Sequence, residues 1–557
     1  MNKHYSDLLT PGGAALAGQP WPEYPRPLLR RGSFLNLNGQ WHFSVPACNF
    51  SGSIRVPFCP ESLLSGVHRR FPQGAELVYK KRFVLPEGFI RERVLLHFGA
   101  ADQLADVFLN GNPLGSHAGG YAPFSFDITE YLQPENCLEV RIRDELDKKI
   151  LPYGKQKEKR GGMWYTPVSG IWQTVWLESV PGTYIRNIRI ETTLHTAKIM
   201  ADGVSSGKIL MGGREYPLKN GICEIHVEKP EHWTPENPRL YHFTLEAGED
   251  RIESYFALRT IESMLVNGIP RLCLNGEPYF FHGLLDQGYW SDGIFTPASP
   301  ASYEEDILAA KRLGFNTLRK HIKIEPQLFY CACDRLGMVV FQDMVNNSDY
   351  NFIRDTALPT IGLKKLPDRF LHRNKASRAA FLSHMEETAR QLFNHPSILY
   401  WTIFNEGWGQ FDSQAAYEKL KSIDSSRIID TTSGWFFCGE SDVESHHVYF
   451  KPYKFKPGRK PVVLSEFGGY VYRPEGHLFN PGKAYGYRFF KTREELQAAV
   501  ERLYREEILP AIPKGLCAAI YTQLSDVEDE TNGILSYDRR VEKLETPFRG
   551  FAPENPT

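Results

Sequence analysis

The chain has 557 residues and a formal net charge of −1 at pH 7, from 65 Lys and Arg against 66 Asp and Glu. A chain of this length is expected to form more than one domain, and its balanced charge excludes nucleic acid and anionic membranes as favoured partners. The N-terminus lacks the apolar core of a signal peptide, and no run approaches the about 18 apolar residues of a membrane span. Nine scattered cysteines indicate neither a zinc site nor a disulfide framework. These features predict a cytoplasmic protein.

Two β-rich blocks come first in the chain. From Phe34 to about Val180, short alternating runs such as LNGQWHFSV and CLEVRIRD are broken by Gly, Asn and Pro, which is typical of a β-sandwich or jelly roll. A second, shorter block has the length and strand spacing of an immunoglobulin-like sandwich. We therefore predict a jelly-roll, sugar-binding-like domain over residues 1–181 and an immunoglobulin-like β-sandwich over residues 182–262.

Strand and helix signals alternate after the second block. Most of the strand signals are separated by helices or long loops, and capping boxes at Ser302 and Thr492 predict two of the helix starts. Only residues 424–460 carry little helical signal. The alternation predicts a C-terminal (β/α)8 TIM barrel over residues 263–557. The eight strand signals are PYFFHGLL, NTLRKH, MVVFQD, ILYWTIFNE, RIIDTTS, SHHVYF, VVLSEFGG and LCAAIYTQ.

Two glutamates end strongly apolar strands of the predicted barrel. Glu406 follows LYWTIFN in the fourth strand, and Glu466 follows VVLS in the seventh. The working residues of such barrels come from the C-terminal ends of strands. One glutamate in this position is as often half of a structural ion pair, but two at non-adjacent strands favour catalysis. Retaining glycoside hydrolysis requires such a pair, since one carboxyl group protonates the leaving oxygen and the other attacks the anomeric carbon.

On these motifs the sequence resembles glycoside hydrolase family two, which contains β-galactosidases, β-glucuronidases and β-mannosidases. NHPSILYWTIFNEGWG is similar to the family's acid/base motif and PVVLSEFGGY to its nucleophile motif, while LNGQW, GIWQTVWLE and WTPENPRLY are similar to markers of its β-domains. The resemblance covers nearly the whole chain. It implies that Glu406 is the acid/base, that Glu466 is the nucleophile, and that Asn405 bonds the 2-hydroxyl group of the sugar.

The resemblance also implies further substrate-binding residues at strand ends. His321 follows the second strand, and Tyr449 follows the sixth, where it would bond the nucleophile. The doubled histidine before Tyr449 leaves the register there open by one or two residues. Asp343 either touches the substrate or supports residues that do. The other candidates are Asp286, Trp435 and His446, each with a structural role as the alternative, and Tyr521, which stands where many members of the family have tryptophan.

Departures from the family pattern bear on the choice of sugar. An aspartate of the family's β-galactosidases is replaced by Gly161 or Gly162, and the Asn-x-Lys signature that reads the carboxylate of glucuronic acid is not found in TNGILSYDRR. The basic run KQKEKR, residues 155–160, either is a solvated loop or reaches the cleft to meet an acidic or phosphorylated substrate. We predict an exo-acting retaining enzyme. The first prediction for its specificity is that of a β-galactosidase, and the alternatives are those of a β-glucuronidase, a β-mannosidase or an arabinosidase.

Other classes of protein fit the sequence less well. A metal-dependent hydrolase on this barrel would need a His-x-His at a strand end, and none of the 17 histidines has that spacing. A non-catalytic carbohydrate-binding protein would be expected to lack one of the two glutamates. A phosphate-cofactor barrel would need a Gly-rich loop after the seventh or eighth strand. The expected partner is thus a carbohydrate or glycoside, without metal or cofactor. The segments 344–375 and 470–491 either restrict the aglycone or form a homo-oligomer interface.

Overall fold

The structure, a computed structural model, describes residues 7–358 and 368–545, so part of the segment 344–375 lies outside the described residues. The first domain consists of two antiparallel sheets, of four and six strands. Alternate side chains of these strands pack into one core around Trp41 and Phe43, which confirms the predicted jelly-roll-like domain. In hydrogen-bonding order, the four strands are Phe34–Asn36, Val175–Val180, Arg93–Phe98 and Phe124–Asp127, and the six are Phe50–Val56, Gly39–Val45, Leu77–Phe83, Asn136–Arg143, Leu104–Leu109 and Asn112–Ala118.

The second domain is a smaller antiparallel β-domain. Its seven strands surround a core that includes Ile199 and Leu245, which confirms the predicted immunoglobulin-like domain. A hairpin of Ile261–Val266 and Ile269–Leu274 leads into the third domain, so the predicted boundary after residue 262 falls within a strand. The seven strands, in hydrogen-bonding order, are Asn187–Thr192, Thr196–Asp202, Ile222–His226, Arg214–Lys219, Ser206–Met211, Tyr241–Ala247 and Asp250–Phe256.

Eight parallel strands form the third domain, and all eight strand predictions are confirmed. Numbered β1 to β8 along the chain, with the ranges given at the end of this paragraph, they are connected by hydrogen bonds in the order β5-β4-β3-β2-β1-β8-β7-β6. Ser433 Oγ of β5 lies 3.1 Å from Ser445 Oγ of β6, so the two end strands meet and the sheet closes into a barrel. The strands are Phe281–Asp286 (β1), Thr317–Lys320 (β2), Val339–Asp343 (β3), Ile398–Asn405 (β4), Ile428–Ser433 (β5), Glu444–Val448 (β6), Val462–Gly468 (β7) and Leu516–Thr522 (β8).

Helices lie between the barrel strands along the chain. One helix start is as predicted, since Thr492 Oγ1 accepts from the N–H of Glu495 at 3.2 Å. The predicted cap at Ser302 is wrong, because the helix already begins at Ala301. Between residues 424 and 461, all of which are described, the structure contains no helix, as the weak helical signal there indicated. The barrel helices are Ala301–Arg312, Gln327–Leu336, Lys375–Leu392, Ser413–Ile423 and Arg493–Leu503.

One loop of the first domain, residues 151–166, reaches the C-terminal end of the barrel, and we call it the mouth loop. The N–H of Tyr153 donates to the carbonyl oxygen of Asn346 at 3.1 Å, in the segment after β3. The hydroxyl of Tyr165 donates to Glu530 at 2.5 Å, in the segment after β8. The first domain therefore builds one wall of the barrel mouth. None of the helices described is long and apolar enough to cross a membrane.

Candidate active site

The two glutamates predicted from the sequence meet at the barrel mouth. A carboxylate oxygen of Glu406, one of Glu466 and a ring nitrogen of His447 all lie within 4.8 Å of one another. The side chain of Glu406 is 17% exposed and that of Glu466 is 6% exposed. Carboxyl groups about 5–5.5 Å apart are typical of retaining glycosidases, whereas inverting enzymes separate them by about 6.5–9.5 Å. The geometry therefore favours direct attack by one carboxylate over activation of a water between them.

Two donors stabilise the ionised form of Glu466. Arg319 Nη1 donates to Oε1 at 3.1 Å, and the hydroxyl of Tyr449 donates to Oε2. Burial and the charge of Glu466 hold the pKa of Tyr449 well above its ordinary value, so its phenol stays protonated and can donate. A carboxylate held by a cation and a hydroxyl group is suited to remain charged and act as a nucleophile.

Arg319 connects the ends of four strands. From β2, its Nε donates to Asp343 of β3 at 3.0 Å, its Nη2 to Asn405 Oδ1 of β4 at 2.9 Å, and its Nη1 to Glu466 of β7. Burial lowers the pKa of Arg319, but the charges of Asp343 and Glu466 outweigh it and raise the pKa above its ordinary value. Sequence reasoning gave this residue no role. The available signal was a cation inside a buried strand, on the opposite face from Lys320.

His447, rather than the predicted His446, lies between the two glutamates. Its Nδ1 is 2.8 Å from Glu406 Oε1, and its Nε2 is 3.5 Å from Glu466 Oε1. The ring of His446 instead packs edge-on against Phe437, with 6.0 Å between ring centroids. An irregularity in the pairing of β6 with β7 falls between the two histidines and sets His447 opposite Glu466. The candidate His446 is thereby corrected to its neighbour, whereas Tyr449 contacts Glu466 at the predicted position.

The protonation of His447 follows from its neighbours. Burial lowers its pKa to about 3, despite the opposing effect of the Glu466 charge, so the imidazole is neutral near pH 7 and carries one N–H. Arg319 Nη1 can only donate, and it lies 3.4 Å from Nε2. Nε2 is therefore the acceptor, and Nδ1 donates to Glu406. His447 thus bonds Glu406 directly, and Arg319 lies between its Nε2 and Glu466 Oε1.

His321 and Asp343 form a pair beside Arg319. His321 Nδ1 lies 2.8 Å from Asp343 Oδ2, while Asp343 Oδ1 accepts from Arg319. Burial lowers the pKa of His321 to about 3, so the ring is neutral and Nδ1 donates to the carboxylate. No described residue bonds His321 Nε2, which leaves that nitrogen for a ligand. Asp343 therefore orients its two neighbours, the second of the two roles predicted for it.

The chain turns sharply after Glu406. Glu406 has φ +53° and Gly407 has φ +73°, both in the left-handed region. A Cβ atom on Gly407 would lie 2.1 Å from the ring of Phe436, so only glycine fits there. Trp435 Nε1 donates to the backbone carbonyl of Glu406 at 3.1 Å. A backbone conformation of this kind costs about 1–3 kcal/mol. The predicted Trp435 thus helps to hold a strained backbone beside a candidate catalytic group.

Two further predicted residues, Tyr521 and Asp286, do not join this cluster. The ring of Tyr521 packs edge-on against Phe467 at 5.6 Å, in the layer between strands and outer helices. Asp286 pairs with Lys320 at 2.5 Å, and the ammonium group of Lys320 lies 4.2 Å from the ring centroid of Phe329 in an outer helix. Both predictions are corrected for one reason, since alternate side chains of a barrel strand point outward.

Aromatic rings line two sides of the mouth. Tyr487 stacks on Tyr449 with 3.8 Å between centroids, and Trp164 of the mouth loop packs edge-on against Trp408 at 5.1 Å. These rings give the apolar walls that the faces of a sugar or an aglycone can contact. Sequence reasoning missed both walls, because each pairs residues from segments far apart in the chain.

The same cluster has the spacing of a possible metal site. Glu406, His447 and Glu466 each offer a ligand atom. The guanidinium group of Arg319, however, lies 3.1 Å from Glu466 Oε1 and 3.4 Å from His447 Nε2. A divalent cation would meet this fixed positive charge at close range, so the residues present fit a metal poorly.

Models of one protein family match three successive parts of the chain. Residues 52–179 match the model described as "Glycosyl hydrolase 2 galactose-binding domain-like". Residues 181–259 match "Glycosyl hydrolases family 2", and residues 270–500 match "Glycosyl hydrolases family 2, TIM barrel domain". The three matches follow the order of the two β-domains and the barrel.

Individual relatives are distant. A β-galactosidase of Thermoanaerobacter pseudethanolicus is 25% identical over 438 residues, covering 71% of this chain and 54% of that protein. Human β-glucuronidase is 23% identical over 465 residues, covering 70% of this chain and 68% of that protein. The chain therefore spans about half the length of the first of these relatives.

Solved structures share the fold over almost the whole chain. A β-D-glucuronidase of Dictyoglomus thermophilum superposes with a TM-score of 0.73 at 18% identity, covering 95% of this chain and 97% of that one. A GH2 β-galacturonidase from Eisenbergiella tayi superposes with a TM-score of 0.69 at 19% identity, covering 96% and 100%. At such identities the likeness shows the common three-domain architecture.

Proposed function

This chain belongs to family 2 of the glycosyl hydrolases, and from that premise we propose that it is an exo-acting, retaining β-glycosidase. It removes a terminal sugar from an oligosaccharide or other glycoside by double displacement. The observation that carries the proposal is the approach of two unlike carboxyl groups within 4.8 Å. Glu466 accepts from the cation Arg319 and from Tyr449, while the more exposed Glu406 accepts from the neutral imidazole of His447.

In the first step, Glu466 attacks the anomeric carbon and the bond from that carbon to the leaving oxygen breaks. Glu406 gives its proton to that oxygen, so the aglycone leaves as an alcohol and a glycosyl ester forms on Glu466. Arg319 and Tyr449 keep their hydrogen bonds to the carboxyl group of Glu466 as its charge falls. Their fixed positions mean that few groups need to reorient during the reaction.

In the second step, Glu406 takes a proton from water as the water oxygen attacks the anomeric carbon. The ester bond breaks, Glu466 returns to the carboxylate, and the sugar is released with its original anomeric configuration. Asn405 supports both steps. Its Oδ1 accepts from Arg319 at 2.9 Å, which turns the amide so that its N–H groups are left to donate to a sugar hydroxyl group.

The identity of the terminal sugar is a separate part of the proposal. Relatives of this chain include β-galactosidases and β-glucuronidases, so a β-galactoside and a β-glucuronide are the first two substrates to try. A homo-oligomer and a cytoplasmic location stay predictions of the sequence.

Substitution of each glutamate by glutamine tests the assignment. Glu466→Gln is expected to lower kcat on every aryl β-glycoside by more than about 10⁴-fold. Glu406→Gln should spare substrates whose leaving groups need no proton, such as 2,4-dinitrophenyl glycosides, and impair phenyl glycosides by about 10²–10⁴-fold. The exposed Glu418→Gln is the matched control. Near-wild-type activity of Glu466→Gln, or NMR detection of an inverted product, would overturn the mechanism. A wild-type chain that binds sugars without cleaving any glycoside would instead favour a carbohydrate-binding protein.

A further inference from the structure

Two lysines of the mouth loop lie near the segment that follows Glu406. Lys157 Nζ lies 5.0 Å, and Lys155 Nζ 5.8 Å, from the ring centroid of Trp164. The ring of Trp164 meets that of Trp408, two residues beyond Glu406, at 5.1 Å. A single aromatic ring therefore separates both ammonium groups from the segment that carries the acid/base candidate.

Neither of these two lysines has a direct counter-ion among the described residues. In the ranges 7–358 and 368–545, no carboxylate oxygen lies within 4.0 Å of Lys155 Nζ or Lys157 Nζ. Arg160, at the other end of the same basic run, is neutralised twice, with Nε 2.7 Å from Glu528 and Nη2 2.9 Å from Asp529. The loop thus uses one cation to anchor itself to the segment after β8 and keeps two others beside an indole ring. Positive charge without a counter-ion in such a setting favours an anionic ligand.

Lys155 also lies close enough to the sugar site for its charge to act there. Burial, and then the charge of Lys155, lower the pKa of His321, which follows β2. Glu530, which follows β8, does not serve as the ion-pair partner of Lys155. Its oxygens accept from Tyr165 at 2.5 Å and from Asn532 at 3.1 Å, and burial raises its pKa although the nearby charge of Lys155 lowers it. Lys155 is therefore half-buried between the ends of β2 and β8 without a carboxylate of its own.

From this arrangement we propose that Lys155 and Lys157 bind a carboxylate of the substrate, so that the preferred substrates are β-glycosides with an acidic group near the scissile bond. The proposal rests on the glycosidase function proposed above and names its substrate class. The two ammonium groups would donate charge-assisted hydrogen bonds to the carboxylate, with Trp164 as the adjoining apolar wall. The carboxylate belongs either to the terminal sugar, as in a uronide, or to the leaving group.

Matched substrate pairs separate these two sources. The first pair compares 4-nitrophenyl β-D-glucuronide and β-D-galacturonide with the corresponding glucoside and galactoside, which differ by a carboxylate on the sugar. The second pair compares 4-carboxy-2-nitrophenyl and 4-carbamoyl-2-nitrophenyl β-D-galactosides, which differ by a charge on the leaving group. For each pair the readout is the ratio of kcat/KM for the acidic substrate to that for its neutral counterpart, at low and high salt.

The double variant Lys155→Met/Lys157→Met is expected to lower this ratio at least tenfold in one of the two pairs. The pair that responds identifies whether the sugar or the leaving group carries the carboxylate. Lys159→Met is the matched control, since Lys159 is exposed in the same basic run, and it should change neither ratio by more than twofold. In the wild type, added salt should lower the same ratio, because the interaction is between charges.

Three results would overturn the proposal. One is a double variant whose ratios equal those of the wild type, and another is an equal loss on acidic and neutral substrates. The third is a wild type with no preference for the acidic member of either pair. If the double variant does not fold, the single exposed variant Lys157→Met should still lower the ratio, whereas the charge-retaining Lys155→Arg should keep it near the wild-type value. The opposite pair of results would overturn the proposal.

The proposed function fails by a different result. If the wild type cleaves none of these substrates, and no β-mannoside or arabinoside either, the glycosidase assignment and the carboxylate site fall together. If it cleaves them through Glu466 and the lysine variants show no selective loss, only the carboxylate site falls. Isothermal titration with glucuronate and galacturonate against glucose and galactose gives a binding readout for Lys155 and Lys157 that needs no turnover.

Discussion

Arg319 and Lys320 are neighbours on β2, yet they belong to two different clusters of buried charge. Arg319 points into the barrel, where it donates to Asp343 at 3.0 Å and to Glu466 at 3.1 Å. Lys320 points outward, where its ammonium group lies 2.5 Å from Asp286. Both side chains are 1% exposed. The alternation of side chains along a strand therefore separates the candidate catalytic cluster from a structural one within a single peptide unit.

The outer cluster is closed, and its charges balance. Lys320 and Lys323 face Asp286 and Glu325, and Lys323 also donates to the backbone carbonyls of Gly288 and Phe295 at 2.5 and 2.7 Å. Every described polar group of the outer cluster thus has a protein partner. Such a cluster fixes the position of the loops at the barrel end and leaves nothing for a ligand.

The inner cluster is open by comparison. One arginine serves two carboxylates, and the N–H groups of Asn405 and Nε2 of His321 bond no described residue. The two clusters use the same kinds of residue and are equally buried. The presence of unused donors and acceptors, rather than buried charge by itself, distinguishes the site that can bind a substrate.

The strongest test of this contrast is removal of the inner cation. Arg319→Met is expected to lower kcat/KM on aryl β-glycosides by about 10³-fold, because Glu466 loses its charged donor and Asn405 loses the bond that orients it. Arg319→Lys keeps the charge but not the fork of donors, so it should recover only part of the loss. A value of kcat/KM within tenfold of the wild type in Arg319→Met would show that the inner cluster is structural after all.

Removal of the outer cation should affect stability instead. Lys320→Met leaves Asp286 and Glu325 with less compensating charge, and it is expected to lower the free energy of unfolding by about 3–5 kcal/mol. Urea denaturation followed by circular dichroism measures this loss. Turnover per folded molecule should stay within threefold of the wild type. A fall in kcat comparable to that of Arg319→Met would erase the distinction between the clusters.

His447 tests how far the inner cluster acts as a unit. His447→Gln is expected to lower kcat by about 10²-fold with a smaller change in KM, because Glu406 loses its imidazole N–H donor and Arg319 loses the ring nitrogen beside it. The acid limb of the pH–rate profile should also move. His446→Gln is the natural control, with an expected change of threefold at most. Equal losses in the two variants would mean that the strand pairing, rather than the imidazole at position 447, matters.

The effect that is smallest near neutral pH is a pH dependence of stability that belongs to the inner cluster. Burial lowers the pKa of folded His447 to about 3, against about 6.5 in the unfolded chain. Between these values the unfolded state binds a proton that the folded state does not, so stability falls as pH falls. The wild type should lose stability relative to His447→Gln by about 1.4 kcal/mol per pH unit below pH 6.5. Lys320→Met should keep the wild-type slope, and stability curves of wild type and His447→Gln that run parallel would contradict the assignment.

The strands and the two glutamates could be predicted because their signals are local. A barrel strand covered on both sides is a short run of apolar residues, and each run before Glu406 and Glu466 has this form. A carboxylate at the end of such a run must meet a cleft or a partner, since burial without either is costly. The family resemblance then followed from the motifs around these same two residues.

Residues whose roles depend on strand pairing were harder to predict. The choice between His446 and His447 depends on an irregularity in the pairing of β6 with β7. The sequence places Asp286 and Tyr521 at strand ends and so predicts them in the site. A strand that is buried on both sides has no alternation of polar and apolar residues, so the sequence does not show whether a side chain points into the barrel or outward. Arg319 escaped notice for the same reason.

The sequence by itself determined the three-domain order, the barrel and the two carboxyl groups that carry the proposed chemistry, because these depend on hydrophobic period and on short motifs. Only the tertiary structure decided which partners those groups have. The pairing of Glu406 with His447, the contact of Arg319 with Glu466 and the arrival of the mouth loop all join segments separated by tens to hundreds of residues. Such contacts are set by strand register and domain packing, which are properties of the whole chain rather than of any stretch of it.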